Sequence, residues 1–272
     1  MNQTNKAGRP AARLSVNLEH GRISYLEQGE GEPLVLLHGI NGNASSWEEQ
    51  IGALSPSMRV IAWDAPGYGN SDVAGDDLTD LARAAIAFIK QVSAAPVTLI
   101  GHSMGGLVAM KVAILEPALI KRLVLSCTHP GHALDRNGEA DDRYKRRLDE
   151  LSNLPLEVYG ERRAKGMLPA GTADDVYKRV AEIAAESRLE GVSAAAWAIQ
   201  TADLKPELAR IQAQTLVITC DQDSVAPLAK AKPLLASIPD VRHVQLSGLG
   251  HAPYLEDSHR FNAAISDFLA SP

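Results

Sequence analysis

The sequence predicts an α/β protein in which helices cover both faces of a mostly parallel central sheet. Two observations indicate this class. Short apolar runs recur that do not alternate with polar residues, which is typical of strands buried on both faces. Helical stretches separate these runs, and such an alternation implies parallel strands joined by crossover helices.

The predicted elements follow one another regularly up to residue 126. Residues 16–18 and 23–26 form a hairpin around His20-Gly21, and both of its strands are expected at an edge of the sheet. Buried strands are predicted at 33–38, 60–63, 97–100 and 123–126, and helices at 47–54, 78–92 and 104–115. Strands at 215–219 and 241–246 and a final helix at 258–269 complete the core.

The alternation stops between residues 127 and 214. This segment contains no convincing buried strand, and its apolar residues repeat with helical spacing, as at Val176, Val180, Ile183 and Ala184. The sequence therefore predicts two parts. Residues 1–126 and 215–272 form the α/β core, and residues 127–214 form a helical insertion.

Composition and charge exclude several classes of protein. A net charge of −6 argues against a nucleic-acid-binding surface, and the basic run at 143–147 is interpreted as a solvated helix face. The first fifteen residues lack the apolar run of an export signal, and no stretch is long enough to span a bilayer. Cys127 and Cys220 are too few for a disulfide framework. We therefore expect a cytoplasmic protein without a nucleic-acid or membrane partner.

The strongest chemical signal is Gly101-His-Ser-Met-Gly105, which stands directly between a predicted strand and a predicted helix. In this G-x-S-x-G pattern the serine lies on a strained tight turn that lifts its hydroxyl above the sheet. The turn requires nearly absent side chains two residues on either side, which the two glycines provide. Ser103 is therefore the predicted nucleophile.

A serine hydroxyl is a weak nucleophile at neutral pH and needs a base that a carboxylate orients. Asp221 and Asp223 follow the predicted strand at 215–219, and His251 follows the strand at 241–246. Serine, acid and histidine is the chain order of hydrolases built on such a sheet. We predict Ser103, Asp223 and His251 as a catalytic triad, with Asp221 as the alternative acid.

These motifs resemble those of the α/β-hydrolase superfamily, especially its bacterial esterases and enol-lactonases. The resemblance extends over residues 16–269 and is carried by His38-Gly39, the loop 64–72, residues 101–106, Asp221-Gln-Asp223 and Gly250-His251. It implies a sheet of about eight strands, with residues 127–214 as a cap over the site. In family members the acid stands three residues after a small residue that ends the strand, here Cys220, which favours Asp223.

The same resemblance implies an oxyanion hole made of two backbone N–H groups. One belongs to Met104, the residue after the nucleophile, and the other to Ile40, in the loop after the third strand. Asn41 of that loop is a candidate substrate-binding residue. Trp197 and Met167 are further candidates in the cap, whose composition permits an apolar pocket.

We expect a serine hydrolase that cleaves an ester or lactone of a small carboxylic acid through an acyl-enzyme on Ser103. No cofactor and no metal are implied, since His129 and His132 have no third ligand placed with them. One alternative uses the same triad to hydrolyse a carbon–carbon bond in ring-cleavage diketones, although Ala252 stands where such enzymes usually have tryptophan. Another is a small-molecule receptor or a lyase that keeps the triad. The acyl group, the leaving group and the oligomeric state stay open.

Overall fold

An eight-stranded sheet forms the centre of the computed structural model, which describes residues 11–19 and 21–271. The first ten residues, where no export signal is predicted, lie outside the described residues, as do His20 of the predicted turn and Pro272. The spatial order of the strands is β1-β2-β4-β3-β5-β6-β7-β8. Their bounds are β1 Ala12–Leu18, β2 Gly21–Gln28, β3 Pro33–Leu37, β4 Arg59–Trp63, β5 Val97–His102, β6 Ile120–Ser126, β7 Gln214–Cys220 and β8 Val241–Leu246.

The strands from β3 to β8 are parallel to one another. The antiparallel pairs are β1 with β2 and β2 with β4. The predicted mostly parallel sheet is therefore confirmed. The expectation that both hairpin strands lie at an edge is wrong for β2. Its residues 23–26 are buried, and its second side pairs with β4, with Tyr25 opposite Trp63. Only β1 of the hairpin is an edge strand, and most of its residues are exposed.

Helices cover both faces of this sheet and bury two apolar clusters. Successive residues of β3 contribute to opposite clusters, because side chains alternate along a strand: Val35 and Leu37 lie in one, Leu34 and Leu36 in the other. The helices of the core are α1 Glu48–Leu54, α2 Leu78–Val92, α3 Met104–Leu115, α8 Leu228–Ser237, α9 Pro253–Glu256 and α10 Ser258–Ala270. The predicted bounds of α2 and α3 agree with the structure.

Four α-helices lie between β6 and β7, and residues 127–213, all of which are described, contain no strand. They are α4 Asp142–Asn153, α5 Leu156–Met167, α6 Asp174–Ala185 and α7 Leu189–Thr201. α5 and α6 approach closely at Gly160, where a Cβ atom would lie 2.2 Å from the carbonyl oxygen of Ala181. Arg188, just before α7, donates a hydrogen bond to the Ser71 carbonyl at 2.8 Å. The helical segment is thereby attached to the loop 64–72 of the core.

The length and polarity of the described helices bear on the membrane prediction. None of them is both long enough and apolar enough to cross a bilayer.

Candidate active site

β5 passes into α3 through a sharp turn centred on Ser103. This residue has φ 52° and ψ −115°, a conformation that side-chain-bearing residues rarely adopt. A Cβ atom on Gly101 would lie 2.3 Å from the carbonyl oxygen of Gly105, and one on Gly105 would lie 2.1 Å from that of Leu37. Backbone atoms cannot swing away as a flexible side chain can. The turn therefore depends on both glycines.

A continuous chain of hydrogen bonds joins the three side chains predicted as a triad. Oγ of Ser103 lies 3.0 Å from Nε2 of His251, and Nδ1 of His251 lies 2.8 Å from Oδ2 of Asp223. Because an ionised carboxylate only accepts hydrogen bonds, Nδ1 carries the imidazole proton and Nε2 accepts from the serine hydroxyl. A serine nucleophile needs this arrangement of its base.

Asp223 is held in its ionised form. Burial raises its pKa, but the hydrogen bond and charge interaction with His251, together with backbone N–H donors, outweigh this effect and lower the pKa to about 2. The donors are the N–H groups of Ala226 and Val225, which lie 2.9 and 2.8 Å from Oδ1. Asp221 is exposed and instead accepts the N–H of Gly248 at 2.6 Å. The structure thus brings Asp223, not Asp221, to His251.

The two N–H groups predicted as an oxyanion hole lie at the beginning of α3 and in the loop after β3. Met104 is the first residue of α3, so its N–H has no partner within the helix. Among the described residues, no backbone hydrogen bond of a loop or a cap uses the N–H of Met104 or of Ile40. The hydroxyl of Tyr68 donates to the Ile40 carbonyl at 2.8 Å and so fixes this loop from behind.

Loop 64–72 supports the loop after β3 through buried polar groups. Nε2 of His38 accepts the N–H of Ala65 at 2.9 Å, so Nδ1 carries the proton and donates to the Gly39 carbonyl at 2.8 Å. The buried Asp64 carboxylate accepts the N–H of Ala44, also at 2.8 Å. These contacts give the loop 64–72 a structural role. The positioning roles of His38 and Tyr68 were not predicted from the sequence, in which only the motif His38-Gly39 was a signal.

Two adjoining cavities open beside Ser103, of about 440 Å³ and about 130 Å³. Asn41 and Met167 line the larger one, which we call the α4–α5 cavity because these helices form one of its walls. The predicted candidate Trp197 lines neither cavity. Its ring packs edge-on against Tyr144 of α4, with ring centroids 5.6 Å apart, and α7 instead presents Ala196 and Ile199 to the smaller cavity.

The α4–α5 wall is cationic, a property that was not predicted from the sequence. Five cationic side chains and one carboxylate line the cavity, namely Arg146, Arg147, Arg162, Arg163, Lys165 and Glu150. The basic run at 143–147 was predicted to be a solvated helix face. That interpretation is wrong for Arg147, which is partly buried, because α4 directs this side chain between the core and α5.

One group of buried side chains offers ligand atoms for a metal ion. Among the described residues, the ligand atoms of Cys127, Asp223 and His251 lie within 4.8 Å of one another. A hydrogen bond to Cys220 and burial raise the pKa of the Cys127 thiol well above its usual value. A thiol must lose its proton to bind a metal, and the other two side chains are already hydrogen-bonded to each other. This set is therefore poorly suited to a metal.

Comparison with known proteins identifies the family. Residues 34–264 match the model of the alpha/beta hydrolase family. The chain belongs to this family. RutD of Variovorax paradoxus, a candidate carbamate hydrolase, is 30% identical over 255 residues, covering 89% of this chain and 92% of its own. This α/β hydrolase is also 27% identical over 253 residues to the pimeloyl-(acyl-carrier protein) methyl ester esterase of Photobacterium profundum, covering 91% of this chain and 98% of the relative.

A solved structure shows the same fold. The enol-lactonase from Burkholderia xenovorans superimposes with a TM-score of 0.86 and 23% identity, covering 95% of this chain and all of that one. The predicted α/β-hydrolase fold and the predicted hydrolase class are confirmed by these matches.

Proposed function

We propose that this α/β hydrolase cleaves an ester or lactone of a small carboxylic acid through an acyl-enzyme on Ser103. The observation that carries the proposal is the unbroken hydrogen-bond chain from Ser103 through His251 to Asp223, which borders a cavity of substrate size. The methyl ester esterase named above is a relative of similar length, and it supports an ester as the bond that is cleaved.

In the proposed reaction Oγ of Ser103 attacks the carbonyl carbon while its proton passes to Nε2 of His251. The Asp223 carboxylate stabilises the imidazolium that forms. His251 then gives the proton to the leaving alkoxide, which departs as an alcohol and leaves the acyl group on Ser103. A water molecule, deprotonated by His251, attacks the acyl-enzyme, and release of the acid restores the serine hydroxyl.

The negative charge that develops on the carbonyl oxygen needs donors already in place. We assign this role to the N–H groups of Ile40 and Met104. Because Tyr68 and the loop 64–72 hold the Ile40 loop, its N–H would not have to be reoriented during the reaction. Asn41 and Met167 remain proposed contacts with the substrate. Trp197 lines neither cavity and is no longer proposed as a contact.

We further propose that residues 127–214 act as the cap that determines which substrate reaches Ser103. The support is that α4 and α5 line the larger cavity opposite Ser103 and His251. The chemistry would then depend on the strand ends, and the preference among substrates on the helices.

A hydrolysis screen tests the proposal. Methyl and ethyl esters of increasing acyl length, lactones and ring-cleavage diketones are offered to the purified enzyme, and acid release is followed by titration, with Ser103→Ala purified in parallel to exclude a contaminating esterase. We expect turnover of esters or lactones that the variant lacks. Cleavage of the diketones alone would establish the carbon–carbon hydrolase instead. Binding of these compounds without turnover would indicate a receptor.

A further inference from the structure

Arg147 of α4 lines both cavities beside Ser103. The ion pairs of the described residues include none to this side chain. Its hydrogen-bond partner is neutral: Oδ1 of Asn41, 3.3 Å from one of its terminal nitrogens. Glu150, one turn later on α4, pairs with Arg162 at 3.2 Å and with Arg163 on α5. The carboxylate that lines this cavity is therefore paired with α5, and it acts on Arg147 through its charge without a direct ion pair.

This arrangement leaves an excess of positive charge in the α4–α5 cavity, although the whole chain has a net charge of −6. Burial lowers the pKa of Arg147, which shows that desolvation disfavours its charged form. A guanidinium nevertheless stays protonated in proteins. A partly buried cation without a direct ion pair is costly, and an anion arriving in the cavity would relieve that cost.

The smaller cavity differs in charge. Burial is the main cause that lowers the pKa of His129 to about 3 and of His132 to about 4, so both rings are neutral near pH 7. Arg143 pairs with Asp141 at 3.4 Å, and the Lys230 ammonium donates to the Val225 carbonyl at 2.8 Å. Arg143 thus has a counter-charge, whereas Lys230, like Arg147, has a neutral hydrogen-bond acceptor. The greater excess of cations lies in the α4–α5 cavity, where five cationic side chains and one carboxylate are part of the lining.

We propose that Arg147 binds a carboxylate of the substrate, so that the enzyme acts on esters or lactones that carry a free carboxylate group. The inference rests on the proposed function, which puts the reacting carbonyl at Ser103. Asn41 then becomes a positioning residue rather than a direct contact. Its Oδ1 also accepts the hydroxyl of Tyr159 at 3.0 Å, and it thereby ties the guanidinium to the loop that contains Ile40.

The test compares anionic esters with neutral ones of the same shape. Monomethyl succinate, glutarate and adipate are matched with the methyl esters in which an amide replaces the free carboxylate, and acetoxyacetate with acetoxyacetamide probes an anion on the leaving group. We expect the wild-type enzyme to prefer an anionic member by kcat/KM. Arg147→Met should reduce that preference about 10- to 100-fold, the cost of losing a charged hydrogen bond. Arg147→Lys should retain part of it.

Lys145→Met provides the control, because Lys145 is an exposed cation two residues away on α4 that lines neither cavity. It should leave the ratio of anionic to neutral kcat/KM as in the wild type. Circular dichroism and thermal unfolding show whether each variant is folded. An equal loss for anionic and neutral esters in Arg147→Met and Arg147→Lys would overturn the proposal, since it would make Arg147 a purely structural residue.

A binding measurement separates this inference from the proposed function. Calorimetry with Ser103→Ala measures the affinity for each half-ester and its amide, with and without the additional change Arg147→Met. Anion binding that depends on Arg147 supports the inference even if no ester is hydrolysed, in which case the proposed function alone fails. Hydrolysis of anionic and neutral esters with equal kcat/KM leaves the proposed function in place and refutes the inference. The absence of preferential anion binding also refutes the inference.

Discussion

The strand ends and the α4–α5 wall face the same cavity but treat charge in opposite ways. At the ends of β5, β7 and β8, the Asp223 carboxylate is matched by His251 and by backbone N–H groups. On the wall, Arg147 has neutral hydrogen-bond partners and forms no direct ion pair among the described residues. A group paired within the protein is ready to perform the same chemistry on any substrate. A charged group without an ion pair favours a substrate that supplies the opposite charge.

The most severe test of this contrast removes the nucleophile. Ser103→Ala should lower kcat about 10⁴- to 10⁶-fold, as expected when a triad member is lost, while the circular dichroism spectrum is retained. Steady-state kinetics on the best ester of the screen provide the measurement. A variant that kept more than about one hundredth of the activity would show that another group attacks the carbonyl.

The next test compares two aspartates of one loop. Asp223→Asn should lower kcat about 10³- to 10⁴-fold, because an amide at this position favours the wrong imidazole tautomer. Asp221→Asn is the matched control, since Asp221 contacts Gly248 rather than His251, and we expect it to lose less than about tenfold. Kinetics on both variants decide the matter. The reverse ranking would assign the acid to Asp221.

Two residues of the helical segment test where specificity lies. Met167→Ala enlarges the α4–α5 cavity and should shift the preference between short and long acyl esters about 10- to 100-fold, at roughly 1–3 kcal/mol for a methylene-sized change in fit. Trp197→Phe is the control, because Trp197 packs on Tyr144 outside both cavities. It should lower thermal stability and leave the ratio of kcat/KM values unchanged. If both variants lowered kcat/KM by the same factor for every substrate, the helices would act only as a general lid.

A smaller effect is expected from the strain of the turn at Ser103. Its φ of 52° favours glycine. The free energy of unfolding of Ser103→Gly should therefore be about 1 kcal/mol higher than that of Ser103→Ala. Urea denaturation of the two inactive variants measures the difference. Equal stabilities would show that the turn stores no strain.

Much of the core could be predicted because its signals are local. The glycines around Ser103 lie within two residues of it, and the strand and helix on either side have unmistakable patterns. Choosing Asp223 over Asp221 already required the family resemblance, since both follow β7. The edge assignment of β2 failed because its pairing with β4 joins residues far apart in sequence.

The charge of the cavity could not be predicted in the same way. Arg147 and its partner Asn41 are 106 residues apart, and nothing near Arg147 in the sequence distinguishes it from the exposed Lys145 on the same helix, which lines neither cavity. Which of these side chains enters the cavity depends on how α4 packs against the core. Trp197 was misplaced for the same reason, because helical periodicity alone does not tell which neighbour a face will meet.

Covalent labelling of the nucleophile tests the central claim most directly. The wild-type protein is treated with the organophosphate paraoxon, p-nitrophenolate release is counted, and the labelled peptide is located by mass spectrometry. We predict about one equivalent of nitrophenolate per chain, the phosphoryl group on Ser103 and a parallel loss of ester hydrolysis, with no labelling of Ser103→Ala. A label on another residue, or a fully labelled protein that still hydrolyses esters, would contradict the assignment of Ser103.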